Sequence, residues 1–191
     1  MAYSVGVFIG SLASDSINRT LANVLFRLAP KNLELEEIPI KDLPLYNRDF
    51  DANYPPVARQ FKDHIARVDA LLFVTPEYNR SIPGVLKNAI DWGSRPYGKN
   101  AFALKPSAVI GTSPGAIGTA VGQQHLRSIL SFVNSPEMAQ PEAYIQTRPG
   151  LFTDDGEVTD KDTEAFLREW FDAFGIFVAK VHGIEGVKKQ A

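Results

Sequence analysis

Residues 70–93, ALLFVTPEYNRSIPGVLKNAIDWG, contain the strand–helix pattern that decides the fold. Residues 70–75 form a continuous apolar run with a β-branched end, which predicts a strand covered on both faces. In the following stretch, apolar residues recur at helical spacing between Pro83, which suits the first turn of a helix, and Gly93, which suits its end. A strand that leads directly into a helix is typical of crossover connections in a parallel sheet.

The same alternation continues on both sides of this segment. It predicts strands over residues 3–9, 33–40, 70–75, 106–112 and 143–147, and helices between Ser16 and Pro30 and over residues 57–67, 83–93, 118–133 and 161–181. Residues 41–56 are rich in Pro, Asn and Asp and predict an irregular surface excursion. The expected fold is an α/β three-layer sandwich with a five-stranded parallel sheet, in one domain over residues 1–191. A TIM barrel needs about 250 residues and a dinucleotide-type sheet about six strands, so the length disfavours both.

Composition excludes several classes of function. The 191 residues include 20 Lys and Arg and 22 Asp and Glu, which gives a formal charge of -2. The chain therefore has no excess of positive charge that would favour binding to the phosphate backbone of a nucleic acid. The absence of cysteine excludes disulfides, thiolate metal sites and thiol catalysis. No apolar run approaches the roughly 20 residues of a membrane-spanning helix. We therefore expect a cytoplasmic protein that binds neither membranes nor nucleic acids.

Three loops follow predicted strands and should meet at the carboxyl edge of the sheet, where open α/β sheets bind ligands. The first loop, residues 10–19 (GSLASDSINR), combines hydroxyl groups with a predicted helix start, which favours an anion such as phosphate. Arg19 opposes the helix dipole there unless Asp15 or a bound phosphate lies nearby. The alternative that Ser14, Asp15 and Ser16 only cap the helix stays open. Walker and Rossmann glycine patterns are absent.

The second and third loops suggest a flat ligand. The second loop, residues 75–84 (TPEYNRSIPG), contains two prolines and adjacent stacking and hydrogen-bonding groups, which suit a rigid shelf for a polar heterocycle. A plain proline-bounded turn with Ser81 as helix cap is equally compatible with it. The third loop, residues 111–118 (GTSPGAIG), has glycines that permit close approach of the backbone to a ligand.

These residues resemble the NADPH-dependent FMN reductase family, of flavodoxin-like fold, and especially its quinone, chromate and azo-compound reductase branch. The resemblance rests on the pattern Gly-Ser-(x)4-Ser-x-Asn-Arg in the first loop and on the block TPEYNRSIPGVLKNAIDW over residues 75–92. It implies that the FMN phosphate is held by Ser11, Ser16, Asn18 and Arg19, and that the isoalloxazine ring is lined by Pro76, Glu77, Tyr78 and Asn79 and approached by Ser113, Pro114 and Gly115.

The resemblance also implies association of subunits. Residues 124–127 (QHLR) and 140–142 (QPE) are similar to family segments that meet across subunits near the active site, which places Arg127 and Glu142 at a substrate or subunit interface. We expect a homodimer or homotetramer that uses FMN and takes hydride from NADPH or NADH.

Other chemistries have weaker support. The three histidines are too scattered for a metal motif, so no metal is expected. Residues 111–115 match the Gly-x-Ser-x-Gly pattern of the nucleophile elbow in serine hydrolases. However, the predicted sheet is smaller than in those enzymes, and few acidic and histidine residues follow that could complete a catalytic triad. The predicted function is therefore an FMN-dependent NAD(P)H oxidoreductase that reduces quinones or similar acceptors by ping-pong hydride transfer, without a catalytic side chain. The alternatives are a flavodoxin-type electron carrier and a reductase that releases reduced FMN.

Overall fold

The computed structural model describes residues 2–153 and 155–188. Within these residues, strands and helices alternate along the whole chain. In order they are β1 Tyr3–Ile9, α1 Ile17–Leu28, β2 Leu33–Glu37, α2 Pro56–Arg67, β3 Ala70–Val74, α3 Gly84–Ser94, β4 Ser107–Ser113, α4 Ala120–Phe132, β5 Tyr144–Gln146 and α5 Lys161–Lys188. A short 3-10 helix, Arg48–Ala52, lies in the predicted excursion.

The described strands form one parallel sheet in the order β2-β1-β3-β4-β5. This is the flavodoxin-like order, in which the chain first builds outward from β1 to β2 and then returns past β1 to continue in the other direction. The predicted α/β fold is thus confirmed. The reversal places a crevice at the carboxyl ends of β1 and β3, where Ile9 is paired with Val74.

Helices cover both faces of the sheet. Helices α1 and α5 pack on one face, where Trp170, Phe171 and Phe174 are fully buried, as the helical spacing of these aromatics predicts. Helices α2, α3 and α4 pack on the other face around Phe73 and Trp92. Because β3 is buried on both faces, its sequence is apolar without alternation.

Several predicted boundaries differ from the structure, among them the end of α5, which lies at Lys188 and not near residue 181. Strand β2 ends at Glu37, three residues before the predicted end, although the N–H of Ile38 still donates to the Val7 carbonyl at 2.9 Å. Ile38 and Ile40 owe their apolar character to burial under α2 and α3 rather than to strand pairing. Helix α3 begins at Gly84, with Pro83 as its N-cap and no side-chain cap from Ser81.

Candidate functional site

The three predicted loops meet at the carboxyl edge of the sheet. The N–H of Gly10 donates to the carbonyl of Val74 at 2.8 Å, and the N–H of Thr75 donates to the carbonyl of Ile110 at 3.0 Å. A Cβ at Gly10 would lie 2.8 Å from Thr75 Oγ1, and a Cβ at Gly111 would lie 2.1 Å from the Thr75 carbonyl oxygen. A side chain at Gly111 would therefore overlap the neighbouring backbone, and one at Gly10 would press against the side chain of Thr75, so glycine is favoured at both positions.

The first loop offers donors suited to an anion. Ser16 is the N-cap of α1, and its Oγ accepts from the N–H of Arg19 at 3.3 Å, so the capping interpretation is confirmed for this residue. Ser11 is also buried, and its Oγ accepts from the N–H of Ala13 at 3.3 Å. The first turn of α1 contains no acidic residue. Hydroxyl groups, free helix N–H groups and the positive end of the helix dipole together form a donor set that fits a phosphate.

Arg19 has a partner that the sequence did not indicate. Its guanidinium donates two hydrogen bonds to the carboxylate of Glu37, at 3.0 and 2.9 Å, so Asp15, one of the two partners suggested by the sequence, is not its partner in the structure. The hydrogen bond to Glu37 raises the pKa of Arg19, against the opposing effect of burial. The Arg19 side chain is 42% exposed, so this cation remains accessible beside the first loop.

Asn18, which the sequence predicts to hold the phosphate, has a side chain that contacts the backbone of β4. Its side chain is buried and pairs with the backbone of Thr112, with Nδ2 donating to the Thr112 carbonyl at 2.9 Å and Oδ1 accepting the Thr112 N–H at 3.0 Å. This pair joins the start of α1 to the end of β4. The Asn18 side chain therefore stabilises the site, and only its backbone N–H is left for a phosphate. The adjacent Thr112 Oγ1 is buried without a hydrogen-bond partner among the described residues.

The second loop forms a strained two-residue hairpin. Tyr78 and Ser81 exchange backbone hydrogen bonds of 2.9 and 3.0 Å, and both central residues have positive φ, 53° at Asn79 and 64° at Arg80. Such a turn favours Asn at its first central position and Gly at its second, so Arg80 is strained there. Strain of this kind concentrates at ligand-binding sites. Tyr78 is half exposed on this hairpin.

Glu77 fixes the second loop to α4. Its Oε2 accepts the N–H of Gly122, in the first turn of α4, at 2.9 Å, and its Oε1 lies 3.5 Å from the Arg80 guanidinium. A carboxylate is favourable at a helix N-terminus. A Cβ at Gly122 would lie 3.1 Å from the Ser81 carbonyl oxygen, and Ser81 Oγ is 3.1 Å from His125 Nδ1. The loop is thus held at both ends of the hairpin, and the Glu77 carboxylate is committed to that contact.

The third loop is closed by its own serine. Ser113 Oγ donates to the carbonyl of Gly118 at 2.6 Å and accepts the N–H of Gly115 at 3.2 Å. The Pro114 carbonyl accepts from Gln146 Nε2 at 3.1 Å. A Cβ at Gly115 would contact only Ser113 Oγ, at 3.5 Å, so the backbone there borders open space. This arrangement permits close approach of a ligand at Gly115.

Arg127 and Glu142 make contacts within the chain. The mostly buried Arg127 guanidinium forms an ion pair with Glu137 and donates to the Met138 carbonyl at 3.0 Å. Glu142 Oε1 accepts from Tyr144 Oη at 2.6 Å and from Gln124 Nε2 at 3.2 Å. Burial, together with the bond to Glu142, raises the pKa of Tyr144. The two residues lie in separate hydrogen-bonded clusters, and their predicted interface role stays a prediction.

Two findings concern what the described part of the chain does not contain. Residues 2–153 and 155–188 hold no group of three or more His, Cys, Asp or Glu side chains placed to bind a metal ion. In the same residues, no helix combines the length and the apolar character that crossing a membrane requires.

The chain is similar to one family of flavin reductases and to several quinone reductases. The model of the NADPH-dependent FMN reductase family matches residues 3–150. A 2-hydroxy-1,4-benzoquinone reductase from a Burkholderia species is 47% identical over 178 residues, covering 93% of this chain and 97% of the relative. A quinone reductase from Pseudomonas putida is 51% identical over 177 residues, covering 92% and 95%.

Solved structures extend this similarity to the fold. The flavoenzyme NAD(P)H:(acceptor) oxidoreductase from Paracoccus denitrificans has a TM-score of 0.90 at 48% identity, with 94% of this chain and 98% of that chain covered. A flavodoxin variant from Pseudomonas aeruginosa has a TM-score of 0.52 at 18% identity, covering 90% and 98%, which shows similarity of fold alone.

Replacing Asn18 by Ala tests the structural role of its side chain. In protein without FMN, Asn18→Ala should lower the free energy of unfolding by about 2–3 kcal/mol, because the paired Thr112 backbone groups lose a buried partner. Urea denaturation measures this. The exposed Ser14 in the same loop provides the control, and Ser14→Ala should change stability by less than about 0.5 kcal/mol. Unchanged stability in Asn18→Ala together with lost FMN affinity would show that the side chain serves the ligand instead.

Proposed function

The chain belongs to the NADPH-dependent FMN reductase family, and we propose that it is an FMN-dependent NAD(P)H oxidoreductase that reduces quinones or similar electrophilic acceptors. One observation carries this proposal. At the crevice between β1 and β3, the chain brings together a helix start rich in donors and two rigid loops that border open space. The names of the quinone reductases to which the chain is similar support the choice of acceptor.

The donor set fits FMN. A phosphate would be held by the hydroxyl groups of Ser11 and Ser16, by the first N–H groups of α1 and by the Arg19 guanidinium. The Asn18 backbone belongs to this set, while its side chain fixes the set in place. The proposed isoalloxazine site lies between the second and third loops, with Pro76, Glu77, Tyr78, Asn79, Ser113, Pro114 and Gly115 as its residues.

The chain's part in the reaction is to bind and orient. Bound FMN would supply the redox chemistry, namely the transfer of hydride from NAD(P)H to the acceptor. Glu77 and Ser113 set the positions of the second and third loops through the contacts with Gly122 and Gly118. Because donor and acceptor would use the same open edge, each excludes the other, and we expect ping-pong kinetics. No acidic or nucleophilic side chain is needed.

Further proposals concern the domain organisation, the assembly, the location and the partners of the protein. We propose a single domain, which the distribution of both core clusters along the chain supports. We also propose a homodimer or homotetramer, with Arg127 and Glu142 near the interface, which the resemblance to the family supports, and we propose a cytoplasmic location. The partner in turnover would be a small-molecule acceptor, with NADPH or NADH as donor.

Anaerobic spectroscopy tests the proposed function. The protein purified with FMN should lose its flavin absorbance at about 450 nm when NADPH is added and regain it with benzoquinone, and initial rates should give parallel double-reciprocal lines. Protein that stays colourless after incubation with FMN contradicts the proposal. Reduction only through a partner reductase identifies an electron carrier, and loss of FMN on gel filtration after reduction identifies an enzyme that releases reduced flavin.

The role of Arg19 generates a separate prediction. Arg19→Ala should weaken FMN binding about ten- to a hundredfold, because a charge-assisted hydrogen bond to phosphate is lost, and should leave riboflavin binding unchanged. Quenching of flavin fluorescence measures both affinities. In the control Glu37→Gln the cation is kept and its partner is neutralised, so FMN should bind at least as tightly as to the parent. Equal losses for FMN and riboflavin in Arg19→Ala would refute a phosphate role.

A further inference from the structure

A cleft adjoins the proposed FMN site on the side of α1. Its volume is about 360 Å³, and its walls come from the start of α1, from the third loop and from the segment that follows β5. Ile17 and Pro114 belong both to this cleft and to the first and third loops, so the cleft is continuous with the site. Small-molecule sites have volumes of about 300–1,000 Å³, so the cleft has room for part of a ligand.

A rigid turn presents Arg148 at this cleft. The N–H of Leu151 donates to the Arg148 carbonyl at 3.0 Å, Pro149 follows Arg148, and Gly150 has a φ of +78°. These features are those of a type II turn. Thr159 Oγ1 donates to the Gly150 carbonyl at 2.7 Å and holds the turn from outside. Because the turn is fixed in advance, less conformational entropy is lost when a ligand binds to it.

Arg148 differs from the other guanidinium groups near this edge. Arg19, Arg80 and Arg127 each lie within 4.0 Å of a carboxylate. Among the described residues, Arg148 is exposed and has neither a hydrogen bond from its guanidinium nor such an ion pair.

Arg148 also borders Asp160 and Asp162 in a neighbouring cleft, with no ion pair to either among the described residues, and Asp160 is already engaged. Asp160 accepts the N–H of Thr163 at 2.8 Å at the start of α5, and hydrogen bonding to Thr163 is the main reason that the pKa of Asp160 is lowered, with Arg148 as a minor contribution. The Arg148 guanidinium is therefore available to form a bidentate pair of hydrogen bonds with an anion.

The surroundings of Arg148 indicate which anion. Ile17, Pro114, Pro149 and Phe152 give the cleft apolar walls, against which a flat aromatic base would pack. An aromatic base beside a phosphate is the combination found in the adenosine half of NADPH, which carries a 2′-phosphate, whereas NADH lacks that group. The phosphate of FMN is also an anion that Arg148 could bind, but the hydrogen-bond donors proposed for that phosphate lie at the start of α1.

We propose that this cleft binds the adenosine 2′-phosphate half of NADPH and that the Arg148 guanidinium contacts the phosphate. This inference rests on the proposed function, because it assigns the site of the hydride donor in the same reaction. Arg148 is then a specificity-determining residue that selects NADPH over NADH.

The test compares Arg148→Gln with the parent enzyme, both loaded with FMN. The variant should lose about tenfold in kcat/KM for NADPH, through KM, because one charge-assisted contact is removed. Its kcat/KM for NADH should stay within about twofold, as should its affinity for FMN. Calorimetry with adenosine 2′,5′-bisphosphate gives a readout besides activity, since the parent should bind this probe more tightly than 5′-AMP and the variant should lose the difference.

Arg59→Gln is the matched control. Arg59 is exposed on α2, on the opposite face of the sheet from the cleft, and its replacement should change none of these quantities. Equal losses with NADPH and NADH, or an unchanged ratio between them, overturn the proposal. Weakened FMN binding with an unchanged ratio also overturns it, because Arg148 would then serve the flavin phosphate. A parent that oxidises neither nucleotide contradicts the proposed function itself, and calorimetry then decides whether the cleft recognises the 2′-phosphate.

Discussion

The site depends on the close approach of three backbones at the carboxyl ends of β1, β3 and β4. Gly10 and Gly111 stand on either side of Thr75, and a Cβ at Gly111 would overlap the Thr75 carbonyl oxygen at 2.1 Å. Because Gly111 has no side chain to overlap the Thr75 backbone, β3 and β4 stay closely paired, and the loops that continue from these strands leave the sheet from neighbouring points. The reversal of strand order at β1 and β3 places the crevice there, and the absence of side chains keeps the bases of the loops together.

Above this point, polar side chains hold the loops in position. Asn18 ties α1 to the Thr112 backbone, Glu77 ties the second loop to Gly122, and Ser113 closes the third loop onto Gly118. Each of these contacts fixes a loop or the end of a helix or strand at the site, and each satisfies backbone groups that would otherwise be costly to leave unpaired. Several conspicuous side chains of the motif therefore build the site, and backbone N–H groups, hydroxyl groups and exposed cations are left to meet ligands.

The sequence predicts the fold more completely than the site. Hydrophobic periodicity and the positions of Pro and Gly are local properties of the sequence. The strand over residues 70–75 and the helix after Pro83 can therefore be recognised without knowledge of the rest of the chain. The end of β2 is not, because Ile38 and Ile40 are apolar for packing against another layer. The partners of Asn18 and Arg19 lie 94 and 18 residues away, across strands whose order the sequence does not specify. Glu37 is the last residue of an acidic strand and is paired with Val7 of β1, the strand that leads into α1. This pairing is the signal that would have indicated Glu37 as the partner of Arg19.

Amide hydrogen exchange with and without saturating FMN tests the central claim most directly, namely that these three loops together form one flavin site. Ligand-bound segments exchange more slowly because their local opening is suppressed. If the three loops form one site, FMN binding should slow exchange in residues 10–19, 75–84 and 111–118, with little change at the amino edge of the sheet. Unchanged exchange in all three loops, with protection in another part of the chain, would contradict that claim.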